Sequence, residues 1–167
     1  MGVEAAGKTT IGKILAQRLG WEFADADDFH SQQNKEKLRR GIPLTDGDRE
    51  PWLKAIHEAM VGWVAEKRNV VLACSALKER YREALDVGPA MRVVYLKGSC
   101  QLISERLAKR TGHFVSPALL ASQFESLEEP EDAVVVDIRA TSEEIVERIV
   151  WGLEKESPKA QRRRVDG

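Results

Sequence analysis

The chain has 167 residues, of which 43% are hydrophobic and 32% are charged. Because 26 basic residues nearly cancel 27 acidic ones, no overall field attracts nucleic acid or an anionic membrane, and we expect a small-molecule partner. The two cysteines lack C-x-x-C spacing, and the chain has no apolar run of about 18 residues and no signal peptide, so we expect a soluble, cytoplasmic protein. The length predicts one domain, over 1–156. The polar and basic composition of 157–167 predicts a flexible tail.

Helical and strand-like patterns alternate along the chain. The predicted helices cover 9–19, 51 to about 66, 75–85, about 100–110 and 142–154. The predicted strands are the short apolar runs at 21–24, 70–74, 91–96 and 133–138. Gly20 is expected to end the first helix in a left-handed conformation, Ser75 to cap a later helix, and Trp52 and Tyr81 to pack. The alternation predicts an α/β fold, with a parallel sheet between helices on both faces and ligands at the carboxyl ends of the strands.

Residues 2–9, GVEAAGKT, fit the phosphate-loop pattern G-x-x-x-x-G-K-[ST] at every fixed position. In such a loop the backbone N–H groups and the positive end of the next helix hold phosphate oxygens. Lys8 would reach the β- and γ-phosphates, and the Thr9 hydroxyl would coordinate Mg²⁺. The alternative is a glycine turn with an exposed lysine. The predicted nucleotide-binding residues are Gly2, Gly7, Lys8, Thr9 and Thr10.

An acidic cluster follows the first predicted strand and contains Asp25, Asp27 and Asp28. Because Asp25 and Asp27 are two residues apart at a strand end, their side chains should diverge, one toward a metal and the other toward an incoming hydroxyl group. Phosphoryl transfer requires both roles. A solvated acidic turn is the alternative, since aspartates are common in loops.

Several further segments are specific in sequence. They are D-x-D-x-x-H at 25–30, G-x-P-L-x-D-x-D-R-x-P-W-L at 41–53, C-S-A-L-K-x-x-Y-R at 74–82, L-K-G at 96–98, and a stretch from 106 through Gly-His-Phe to 130. Together these segments resemble gluconate kinase, the small P-loop type that phosphorylates D-gluconate at its 6-hydroxyl. The resemblance covers nearly the whole chain.

The resemblance implies a P-loop kinase fold, a three-layer sandwich with a mobile lid over about 111–130, and a homodimer. It implies that Lys8 and Thr9 hold ATP and Mg²⁺, that Asp25 places the metal, and that Asp27 orients the acceptor hydroxyl as general base. The implied acceptor-binding residues are Asp27, His30, Arg49, Ser75, Lys78, Arg82 and His113. The implied catalytic residues are Lys8, Asp27, Arg106 and Arg110, with the two arginines on the lid.

Two features depart from the family pattern. The loop carries Glu4, which should repel phosphate unless it points away, and Ala5, which is sterically unfavourable if its position needs a positive φ. The fold also places a strand before the loop, at the centre of the sheet, whereas only Met1 precedes the loop here. We expect the flanking strands to lack partners unless an upstream segment, or one swapped from a second copy, fills the slot.

Two alternatives to a gluconate kinase stay open at this point. One is a related kinase that acts on shikimate or a nucleotide. The other is a nucleotide-binding protein without useful turnover, impaired by the missing strand.

Overall fold

The structure, a computed structural model, describes residues 1–108 and 117–155. Its α-helices are α1 (Lys8–Leu19), α2 (Gln32–Arg39), α3 (Asp46–Ala65), α4 (Glu79–Ala84), α5 (Cys100–Ala108), α6 (Pro117–Glu125) and α7 (Ser142–Lys155). Its strands are β1 (Glu22–Asp25), β2 (Val70–Ala73), β3 (Val94–Lys97) and β4 (Val134–Asp137). Two short 3-10 turns cover Ala26–Phe29 and Gly88–Ala90. Across these two ranges, no helix combines the length and the apolar character needed to cross a lipid bilayer.

The strands pair in parallel, as the alternation of helices and strands predicted. β1 pairs with β2, with Glu22 opposite Val70, and β3 pairs with β4, with Val94 opposite Val134. The described strands therefore form two separate parallel pairs rather than one continuous sheet.

A cavity of about 640 Å³ lies between the two strand pairs, lined by β2, β3 and the α1 side chains Leu15 and Leu19. The first residues of the chain bridge it by backbone hydrogen bonds. The Leu96 N–H donates to the Met1 carbonyl at 3.0 Å, and the Gly2 N–H donates to the Ser75 carbonyl at 3.3 Å. The position of this cavity agrees with the predicted gap at the centre of the sheet.

The buried apolar side chains form two clusters. The larger one joins α1, α5, α6 and α7 to β3 and β4, and Ile103, Ile138 and Ile149 are almost completely buried in it. The smaller one lies between α3, α4 and the β1–β2 pair and contains Trp52 and Ile56. The burial of Trp52 confirms the prediction that this side chain packs.

Helix α3 begins at Asp46 rather than at Pro51, where the prediction placed it. The reason is a capping box, in which the Thr45 hydroxyl accepts the Asp48 N–H at 3.2 Å and the Asp48 carboxylate accepts the Thr45 N–H at 2.9 Å. Two N–H groups that the helix start leaves unpaired are thus satisfied. Pro51 therefore lies inside the helix, where it has no N–H to donate to the preceding turn.

Of the other predicted helix ends, one is confirmed and one is wrong, and one helix was not predicted. Gly20 has φ 67°, which confirms the predicted left-handed cap. Ser75 does not cap a helix, and that prediction was wrong: Ala76 takes a φ of 43°, so the chain turns and α4 begins only at Glu79. Helix α2 was missed because it carries no apolar stripe; its start is fixed by the Ser31 hydroxyl, which accepts an N–H from the first turn.

Candidate active site

The phosphate loop turns sharply before α1. Ala5 has φ 57° and Gly7 has φ 94°, so both residues occupy the left-handed region. The strain that the sequence predicted for alanine at this position is therefore present. The Lys8 ammonium group donates to the Val3 carbonyl at 2.9 Å, so the lysine side chain lies across its own loop.

Asp25 connects the start of α1 with the acidic turn after β1. Its Oδ2 accepts the Thr9 hydroxyl at 2.9 Å, and its Oδ1 accepts the Asp27 N–H at 3.2 Å. The Thr9 hydroxyl and the Asp25 carboxylate are hard oxygen donors. They fit Mg²⁺, which takes one or two carboxylates and completes its shell with water and substrate phosphates. Within residues 1–108 and 117–155, no three His, Cys, Asp or Glu side chains converge into a metal site of their own.

Asp27 lies where several negative charges meet. Partial removal of water raises its pKa, the Asp25 carboxylate raises it further, and Lys8 opposes the shift. The side chain is nevertheless 84% exposed, so solvent screens these effects. A carboxylate with a raised pKa, open to an incoming molecule, suits a group that accepts a proton.

His30 is buried beside this acidic turn. Its ring stacks on Trp52, with ring centroids 4.6 Å apart and planes 12° apart, and Trp52 donates its indole N–H to the Ala26 carbonyl at 2.7 Å. Burial, helped by Arg49, lowers the pKa of His30 to about 4, so the imidazole is neutral near pH 7. Its Nε2 lies 3.9 Å from Asp27 Oδ1, and its buried Nδ1 has no hydrogen-bond partner among the described residues.

A second cavity, of about 300 Å³, borders the phosphate loop and the start of α1. Gly7, Thr10, Arg106 and Ser142 contribute to its lining. The Arg106 guanidinium donates to the Ile138 carbonyl, which fixes the side chain beside the end of β4. The structure thus brings a predicted lid arginine and predicted nucleotide-binding residues to one cavity.

Two of the predicted acceptor-binding cations lie around one aromatic ring. The Arg49 guanidinium carbon is 5.7 Å, and the Lys78 ammonium nitrogen 5.6 Å, from the centre of the Tyr81 ring. Arg49 also donates to the Leu44 carbonyl. Tyr81 packs, as predicted, but it also organises these charges.

Of two further predicted acceptor-binding residues, Ser75 lies in the turn after β2 and Arg82 lies on α4 and contacts that turn. Arg82 donates through one nitrogen to the Ala76 and Leu77 carbonyls, each at 3.1 Å, so that this nitrogen holds the turn. Ser75 lies next to the phosphate loop, because its carbonyl accepts the Gly2 N–H. This turn is therefore part of the wall of the site.

The sequence reasoning assigned no role to Gln123, although it lies in one of the matched segments. Its side-chain oxygen accepts the Glu4 N–H at 2.6 Å, so that α6 is tied directly to the phosphate loop. The only available signal was the position of Gln123 in that matched segment. α6 itself lies within the predicted lid, whereas Arg110, His113, the rest of 109–116 and the predicted tail fall outside the described residues.

Comparisons with known proteins place this arrangement in a family. A family model described as "Shikimate kinase" matches residues 4–154. The probable gluconokinase of Rattus norvegicus is 46% identical over 78% of this chain and 80% of that protein. The chain belongs to the gluconokinase family. The thermoresistant gluconokinase of Escherichia coli K12 is 38% identical over 93% of this chain and 91% of that protein.

A solved structure agrees with this membership of the gluconokinase family. The crystal structure of a gluconokinase from Sinorhizobium meliloti 1021 matches with a TM-score of 0.85 and 40% identity, over 93% of this chain and 89% of that one. The predicted resemblance and the α/β P-loop kinase fold are both confirmed. This gluconokinase-family member is thus a kinase, and ATP is its phosphoryl donor.

Proposed function

We propose that this chain transfers the γ-phosphoryl group of ATP to the 6-hydroxyl of D-gluconate and releases 6-phospho-D-gluconate and ADP. The observation that carries the proposal is the contact through Asp25, which joins the phosphate-loop residue Thr9 to the acidic turn that presents Asp27. A phosphate-binding loop and a candidate base are thereby held in one unit. The choice of gluconate is supported by relatives whose names carry that activity.

The positions of these groups support a direct transfer. Lys8 and the loop N–H groups would bind the phosphates, and Asp27 would accept the proton of the 6-hydroxyl as its oxygen attacks the γ-phosphorus. The new O–P bond forms as the bond to the β,γ-bridging oxygen breaks, and ADP leaves with that electron pair. Thr9 and Asp25 would hold Mg²⁺, which neutralises phosphate charge when bound.

The acceptor side of the site suits a sugar acid. Gluconate carries one carboxylate and five hydroxyl groups, so its pocket needs a fixed cation and several polar side chains. Arg49 and Lys78 would supply positive charge. Neutral His30 would exchange hydrogen bonds with hydroxyl groups rather than act as a cation, since its pKa is lowered to about 4.

Closure of the site stays a prediction. Arg106 borders the phosphate loop and, with Arg110, would meet the charge of the transferred phosphoryl group when the segment over about 111–130 closes and excludes water.

We also propose that the chain is cytoplasmic, acts as a homodimer, and forms one kinase domain over 1–156 followed by a basic tail. The dimer can be tested by sedimentation.

The sharpest test is ADP release by the whole chain with Mg²⁺-ATP, using D-gluconate, shikimate, thymidylate or no acceptor. We expect release that depends on D-gluconate and is lost in Lys8→Ala. Lys13→Ala is the matched control, because Lys13 lies exposed on the same helix, 5.7 Å from the centre of the Phe23 ring, and should retain activity. ADP release that depends on shikimate or thymidylate instead of D-gluconate would overturn the proposed substrate. The absence of release with every acceptor would overturn it as well.

A further inference from the structure

The motif at 41–53 contains two aspartates, which make different contacts in the structure. Asp48 completes the capping box of α3 and accepts the Lys37 ammonium group at 2.7 Å. Asp46, two residues earlier, takes no part in that box. Its carboxylate instead faces α4, which comes from a different part of the chain.

Three donors from the motif at 74–82 converge on Asp46. The Tyr81 hydroxyl and the Lys78 ammonium group, the latter at 3.4 Å, donate to its Oδ1, and the Arg80 guanidinium donates to Oδ2. The Tyr81 hydroxyl, followed by Arg80, holds the pKa of the Asp46 carboxyl well below its usual range. These contacts therefore favour the charged form of Asp46.

The Tyr81 ring is the fixed centre of this group. The residue is only 7% exposed, and Arg49, Lys78 and Arg80 all lie within 5.4 to 5.7 Å of its ring centre. Three cations thus surround one ring, and Asp46 supplies one negative charge among them. The excess of positive charge favours an anionic ligand.

We propose that Asp46 and Tyr81 are positioning residues, which fix Lys78 and Arg49 to bind the carboxylate of the sugar-acid acceptor. This inference rests on the proposed function, since the ligand is its acceptor. Tyr81 links the two motifs, because its ring anchors the cations while its hydroxyl holds the Asp46 carboxylate. A flexible lysine bound on one side loses less freedom when it contacts a substrate on the other.

A purely structural role would predict different behaviour. If the hydroxyl contact only stabilised the junction of α3 and α4, its removal would lower the melting temperature and affect all kinetic constants together. If Asp46 only competed with the substrate for the cations, removing its charge would strengthen acceptor binding. A positioning role predicts that acceptor binding weakens while kcat and ATP binding stay nearly unchanged.

The test measures steady-state kinetics and melting temperature for Tyr81→Phe and Asp46→Asn in the whole chain. We expect the KM for D-gluconate to rise about tenfold, while kcat and the KM for ATP stay within about twofold. The controls are Tyr95→Phe, the other tyrosine of the chain, and Asp48→Asn, which removes the charge that pairs with Lys37 but keeps a side-chain oxygen for the capping box. Neither control should shift the KM for D-gluconate selectively.

The outcomes separate this inference from the proposed function. No gluconate-dependent turnover by the wild-type chain would refute the proposed function itself. Normal wild-type turnover with an unchanged KM for D-gluconate in Tyr81→Phe would overturn the positioning role alone. A lower KM in Asp46→Asn, or equal effects on ATP and gluconate, would overturn it as well.

Discussion

Replacing Asp27 with asparagine should remove most of the turnover without weakening the fold. The side chain is 84% exposed and asparagine has almost the same size, so little packing changes. The N–H of residue 27 that Asp25 accepts belongs to the backbone and is retained. A loss of activity in this variant would therefore not come from unfolding.

The electrostatics of the site predict that Asp27→Asn stabilises the fold slightly, rather than weakening it. Because the pKa of Asp27 is raised in the folded protein, the folded state holds this proton more tightly than the unfolded state does. Ionisation of Asp27 therefore costs stability as the pH rises through the window between the unfolded and folded pKa values. At a pH above both of these pKa values, the neutral asparagine should leave the melting temperature unchanged or slightly higher.

The kinetic effect should be large. A positioned general base contributes a factor of about 10² to 10⁴, so we expect kcat to fall by about that factor in Asp27→Asn. In the wild-type chain, kcat/KM should decline as the pH falls through a value above 3.8, the ordinary pKa of an aspartate, because protonated Asp27 cannot accept the acceptor proton. That acidic decline should be absent from the residual activity of the variant.

Asp28→Asn is the matched control for this prediction. It removes the same charge one residue later in the same exposed turn, so it should change kcat by less than about threefold. The assay is ADP release with saturating Mg²⁺-ATP and D-gluconate, combined with thermal melting. If Asp27→Asn kept more than a tenth of the activity, or Asp28→Asn lost as much, Asp27 would not be the base.

Two further predictions concern packing and thiol chemistry. In Gly152→Ala the new Cβ would lie 2.5 Å from a methyl group of buried Val134, so thermal melting should show a destabilisation of about 1–3 kcal/mol. The same change at Gly62, where nothing lies within 4 Å, should stabilise by about 0.5–1 kcal/mol, and equal effects at both sites would contradict this packing. Burial raises the pKa of Cys74 to about 11, whereas Cys100 is exposed, so one thiol per native chain should react with a thiol reagent at pH 8. Fast reaction of both thiols, or of none, would count against this burial.

The phosphate loop and the positions of the parallel strands could be predicted because their causes are local. A glycine, a lysine and a threonine at fixed spacing specify the turn before α1, and Gly20 ends that helix for conformational reasons alone. Apolar runs bounded by turn residues specify buried strands.

The errors came from contacts that local patterns do not express. Pro51 suggested a helix start, but the reciprocal hydrogen bonds of Thr45 and Asp48 began the helix earlier. Tyr81 was predicted only to pack, because its partner Asp46 is 35 residues away in sequence. The stacking of His30 on Trp52, which helps to bury the imidazole, likewise depends on tertiary structure.

The cavity between the strand pairs gives one more expectation. Apolar, β-branched residues added in front of Met1 could pair with the open edges of β2 and β3, so a four-residue extension should raise the melting temperature. An extension of glycine and serine is the control, since it offers the same backbone without side chains that fill the cavity. An equal or absent rise with both extensions would contradict this expectation.

Identification of the reaction product tests the proposed transfer to D-gluconate directly. Wild-type chain, Mg²⁺-ATP and D-gluconate should yield ADP and 6-phospho-D-gluconate in equal amounts, with the phosphorus located on the 6-oxygen by ³¹P–¹H NMR. ADP formed without phosphorylated gluconate, or a phosphate attached to another oxygen, would contradict the account of an acceptor held with its 6-hydroxyl at Asp27.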